Sequence, residues 1–110
     1  MSTNKVHDEH TRLISLKPQI IGLDGVVLST EEINLRDDKG RVVSQPDNLL
    51  FDPSTQTVYS VEYKCHHTNS MYLHAKEQLR RSEYLLKNMF PDWNITKLYV
   101  CDDYKIEVIR

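Results

Sequence analysis

The sequence predicts an α/β fold, a mixed central sheet flanked by helices, in one domain spanning residues 1–110. Three observations carry the prediction. Helical periodicity dominates the first seventeen residues and returns in a longer stretch near Met71–Phe90. Strand-like segments fill the interval between them. Finally, a strand, a long helix and another strand follow one another, which implies a crossover between two parallel neighbours.

From Thr3 to about Lys17 the pattern is helical, with Val6, His10, Leu13, Ile14 and Lys17 at three- and four-residue steps and Thr3 as N-cap. Pro18 ends it, because proline lacks the N–H that would continue the ladder. After a connector at Gly22–Gly25, Ile33 and Leu35 alternate with Glu32, Asn34 and Arg36 as in a half-buried strand, and Asp37-Asp38-Lys39-Gly40 reads as a turn. A second strand is expected from about Arg41 to Phe51, bent at Pro46. A third runs from Thr57 to Cys65 and holds Val58, Tyr59, Val61 and Tyr63, all of high strand preference. In the long helix, Met71, Ala75, Leu79, Ser82, Leu86, Met89 and Phe90 share one side, and Pro91 stops it. Ile95–Cys101 is a further strand, Asp102-Asp103-Tyr104-Lys105 a turn, and Ile106–Ile109 a short closing strand.

Composition narrows the function. The chain is 39% hydrophobic and 27% charged, with a net charge of -2, so the molecule as a whole is not a basic body that coats nucleic acid. Any phosphate contact must come from a local patch. Mean hydropathy is -0.54, and no apolar run reaches the roughly 18 residues of a membrane helix. The polar residues Met1–His10 lack the apolar core of a signal peptide. Two cysteines, Cys65 and Cys101, suit a reducing compartment. The expectation is a cytoplasmic protein with no membrane partner.

The informative stretch is Pro46-Asp47 followed by Glu62-Tyr63-Lys64. If Pro53, Ser54, Thr55 and Gln56 form a four-residue hairpin loop between Asp52 and Thr57, directly paired residues carry Asp47 opposite Glu62. Strand side chains alternate, so Glu62 and Lys64 share a face, and Asp47 joins them. Two carboxylates and one amine converge. Paired carboxylates suit a hard, octahedral cation such as magnesium, with manganese as substitute. Such an ion lowers the pKa of a water and offsets phosphate charge, while a lysine beside it holds the water or the phosphate. The plain alternative is an exposed Glu-Lys pair on an edge strand, with Asp47 a turn residue.

These residues resemble the signature of the PD-(D/E)XK nucleases, and the likeness runs from the first helix to Cys101. It implies a restriction-endonuclease-like αβββαβ core and magnesium-dependent hydrolysis of DNA phosphodiesters. Asp47 and Glu62 would be metal ligands, the Tyr63 carbonyl a further ligand, and Lys64 the residue that assists the water. Family members often add a glutamate from the first helix; Glu9 is the best match, as catalytic and metal residue, and Glu32 is its competitor. The segment Met71–Leu79 looks like the helix of archaeal Holliday-junction resolvases, which, like that of RecB-like nucleases, carries a glutamine near the site. Gln78 would fill that place, with His74 and Arg81 on its flank. Those resolvases are more basic, and the tyrosine often found four after the glutamine is here Ser82, with Tyr84 two further on.

Lys76, Arg80 and Lys87 fall within a narrow arc of the long helix, a candidate phosphate-tracking stripe that Glu83 shares. With Gln78 and Arg81, Lys76 and Arg80 are the candidate nucleic-acid contacts, and DNA is the expected partner. A homodimer would supply the rest of a cleft. The rival function is a catalytically silent nuclease-fold module that binds nucleic acid or a protein. A third is a zinc regulator built on Cys65, His66, His67 and His74, which predicts stoichiometric zinc after purification; the spacing counts against it, because adjacent Cys65, His66 and His67 cannot all converge from one strand.

Overall fold

The computed structural model describes residues 5–101 and 104–110. Thr3, the expected N-cap, and Asp102-Asp103 of the expected turn lie outside them. The order of elements is α1 (Lys5–Leu16), a 3₁₀ turn (Pro18–Ile21), β1 (Leu28–Thr30), β2 (Leu35–Arg36), β3 (Val42–Ser44), β4 (Asn48–Asp52), β5 (Thr57–Lys64), α2 (Asn69–Met89), β6 (Asn94–Cys101) and β7 (Lys105–Ile109). Five strands form a mixed sheet in the order β1-β4-β5-β6-β7.

The β4–β5 hairpin has the expected register, from Asp52↔Thr57 to Asn48↔Val61. Its loop closes through the Asp52 carboxylate, which accepts from the Ser54 N–H at 2.9 Å and from the Ser54 hydroxyl. β5 and β6 are parallel over eight residue pairs, and α2 makes the crossover. Thr68 caps α2, its hydroxyl accepting from the Met71 N–H at 3.2 Å.

Two expectations are corrected. The strand placed at Ile33 and Leu35 does not enter the main sheet: Leu35–Arg36 pairs with Val42–Ser44 in a separate two-stranded ribbon. The edge strand of the main sheet is instead β1, paired with Leu49–Phe51. Hydroxyls hold it against α1, since Ser15 donates to the Thr30 carbonyl at 2.7 Å and Ser29 to the Ser15 carbonyl at 2.6 Å. The single strand expected over Arg41–Phe51 is two strands in two sheets, divided around Pro46.

The sheet has a core on each face. Ile14 of α1 and Ile21 pack on Leu50, Val61, Tyr63, Leu98 and Val100. On the other face, Ala75 and Leu79 of α2 meet Tyr99, Cys101 and Ile109, while Leu85 and Leu86 meet Leu35, Leu49 and Val58. Three layers result, with the sheet in the middle.

The inward arc of α1 also differs from the expected one. His7 is half-buried and Thr11 and Ile14 are buried, whereas Val6 and Leu13 are exposed. The helix is rotated because its inner side meets polar chain: the buried Asn48 side chain donates to the Thr11 carbonyl at 2.8 Å and to the Ser15 hydroxyl at 2.9 Å. That contact fixes α1 beside the residue preceding Asn48.

Candidate functional site

Asp47 follows Pro46 at the point where the β4–β5 ladder runs out. Its N–H donates to the Val61 carbonyl at 3.1 Å, continuing the ladder by one bond, and its Oδ2 accepts from the Tyr63 N–H at 2.7 Å. The carboxylate is thus pinned across β5, next to Glu62. Glu62 is only 2% exposed and faces α2, and among the described residues its Oε1 has no hydrogen-bond partner. Burial, reinforced by the Asp47 charge, pushes the Glu62 carboxyl up to about 10; Lys64 opposes the shift and Glu32 adds to it. Two residues on, on the same side of the strand, the Lys64 ammonium donates to Gln78 Oε1 of α2 at 3.4 Å.

Asp47, Glu62, Lys64 and Gln78 are therefore brought together at one end of the β5–α2 interface. Asp47 opens on two clefts that also share Glu32. One, of about 320 Å³, lies between α2 and the small ribbon and is lined by Gln78, Arg81, Val42, Val43 and Gln45 among others. The second, of about 270 Å³, lies along α1 beside His7, Thr11, Arg12 and Glu31. The α2 wall is set by a buried hydrogen bond of 2.5 Å between Ser82 and Ser44 of the ribbon. Both side chains are buried.

Glu9 is not brought in. It is exposed on α1, two residues and about 200° round the helix from His7. The α1 side chain that reaches the site is His7, whose Nε2 lies 3.3 Å from Asp47 Oδ2; that hydrogen bond raises the imidazole pKa above its ordinary value. The competitor of Glu9, Glu32, lines both clefts and acts on Glu62. His7, missed in the sequence, was signalled by its four-residue step to Thr11 and seven-residue step to Ile14.

Tyr63 sends its ring to the opposite face, where its hydroxyl bonds His10 Nδ1 and its ring meets His10 and Tyr104. Among the expected nucleic-acid contacts, Arg81 lines the Asp47 cleft and Arg80 a neighbouring one. Lys76 lies 5.4 Å from the Tyr72 ring and lines neither. His67 bonds the Tyr99 hydroxyl at 3.0 Å, and among the described residues no three His, Cys, Asp or Glu side chains form a cation-binding group.

No family model, curated protein or solved structure matches the chain. The geometry alone must carry the functional argument. A pair of carboxylates, one with an unpartnered buried oxygen, fits magnesium, which is commonly held by one or two carboxylates plus waters and substrate phosphates. No helix among the described residues is long and apolar enough to cross a membrane.

Proposed function

We propose that the protein is a metal-dependent nuclease that hydrolyses DNA phosphodiester bonds, on a restriction-endonuclease-like core. The observation that carries this reading is the buried Glu62, with its unpartnered oxygen, beside Asp47 and on one strand face with Lys64. A carboxylate is costly to bury unless something compensates it. Lys64 alone leaves the carboxyl strongly shifted, so the site has unmet demand for positive charge.

Asp47 and Glu62 would hold magnesium or manganese, with the Tyr63 carbonyl as a further ligand and Glu32 as the additional acidic residue. The cation would supply Lewis-acid activation of a water and offset charge on the phosphate. Lys64, oriented by Gln78, holds the attacking water and stabilises the negative charge that builds on the phosphate. Arg81, on the cleft wall, receives a neighbouring phosphate. A second copy of the chain would complete a DNA cleft, making the active form a homodimer.

Cleavage of labelled single-stranded, duplex and four-way-junction DNA, with magnesium or manganese, tests the reading. Wild type is compared with Asp47→Ala, Glu62→Gln and Lys64→Ala, each first shown to be folded. Metal-dependent products absent from all three variants support it. Silence of wild type on every DNA form and metal, with DNA binding intact, favours the non-catalytic binding module.

A further inference from the structure

A groove leads away from the candidate site along α2. Gln78, Arg81, Tyr84 and Lys87 form a three-residue row, one of the natural ridges of a helix surface. The row begins where Gln78 meets Lys64 and spans about 13 Å at 1.5 Å per residue. Beyond the Asp47 cleft lies another of about 410 Å³, lined by Val43, Arg80, Arg81, Glu83, Tyr84 and Lys87. The two clefts share Val43 and Arg81, so they are contiguous.

Tyr84 stands out in this groove. It is 72% exposed, although a large aromatic ring gains most from burial. It faces Val43 of β3, itself partly exposed, and is flanked by three cations: Arg80, Arg81 and Lys87. Arg80 and Arg81 reach Glu77 at 2.6 Å and 3.3 Å between side chains open to water, and exposed pairs of this kind contribute little and yield to a phosphate. Lys87 reaches Glu83 at 3.4 Å, a less exposed carboxylate that also holds Lys97 at 3.1 Å.

We propose that this groove binds an unpaired DNA strand, with one base stacked on Tyr84, phosphates on Arg80, Arg81 and Lys87, and the strand continuing to Asp47 and Glu62. A ring face with cations around it is the chemistry that holds single strands without reading their sequence. A duplex hides its base faces in the stack and gains nothing from Tyr84. The proposal rests on the nuclease reading of the adjoining site and specifies its substrate as a single-stranded end or flap.

The test is fluorescence anisotropy of labelled single-stranded and duplex oligonucleotides in EDTA, where binding is read without cleavage. Wild type should bind the single strand more tightly than the duplex. Tyr84→Ala should weaken single-strand binding by roughly 5- to 150-fold, leave duplex binding unchanged, and be rescued by Tyr84→Phe. The single-strand salt dependence should have a log–log slope of about -2, falling towards -1.4 in Arg81→Ala. Equal single-strand affinity in wild type and Tyr84→Ala overturns the proposal, as does absence of single-strand binding by wild type. Cleavage assayed separately with magnesium decides whether the nuclease reading survives such a failure.

Discussion

Replacing Glu62 with Gln keeps the shape of the side chain and removes its titration. The carboxyl has an ordinary value of 4.5 and is pushed to about 10 in the folded chain. Because the folded value is the higher, the folded state holds the proton more tightly than the unfolded state. The contribution is fully present below 4.5 and is lost as pH rises towards about 10. Each pH unit inside that window removes about 1.4 kcal/mol, so wild type should lose about 3 kcal/mol through this group between pH 5 and pH 7. His7 acts in the same direction: its raised value stabilises below 6.5 and the benefit disappears as pH rises through the folded value. That contribution is common to both proteins and cancels in their difference. Urea denaturation in EDTA at a series of pH values reads the effect, with Glu62→Gln gaining on wild type by about 3 kcal/mol across that interval. Parallel stability curves for the two proteins would refute the claim that Glu62 is a buried, protonated carboxyl in the absence of a cation.

Leu86 is fully buried against Leu35, Leu49 and Val58 on the α2 side of the sheet. Leu86→Ala should cost about 2–5 kcal/mol in urea denaturation, with the far-ultraviolet circular dichroism of the folded state retained. Sedimentation equilibrium should give twice the 12.9 kDa chain mass for the proposed homodimer, and a monomeric mass at all concentrations would remove it.

The β4–β5 register was readable because a four-residue loop and strict alternation leave little freedom in the pairing. That register brings Asp47 to Glu62, and the parallel β5–β6 pair followed equally from the intervening long helix. β1 was not readable: three residues, Leu28, Ser29 and Thr30, are too few to display a period, and Leu28 is exposed. The rotation of α1 was concealed for a related reason. Val6 and Leu13 look like core but face outward, while His7 and Thr11 turn inward because Asp47 and Asn48 offer them polar partners. This same rotation displaced Glu9 from the site. Glu32 comes into it from the chain between β1 and β2, where the apparent alternation of Ile33 and Leu35 with Glu32 and Asn34 is not that of a strand in the main sheet.

Manganese binding, followed by electron paramagnetic resonance in samples whose DNA cleavage is also measured, tests the central claim most directly. Wild type is predicted to bind manganese with an affinity that rises with pH, because the ion displaces the Glu62 proton. Asp47→Asn and Glu62→Gln should lose the ion and the cleavage together. Undiminished manganese binding in both variants, or cleavage that persists when the ion is lost, would contradict the assignment of Asp47 and Glu62 as the metal site of a nuclease.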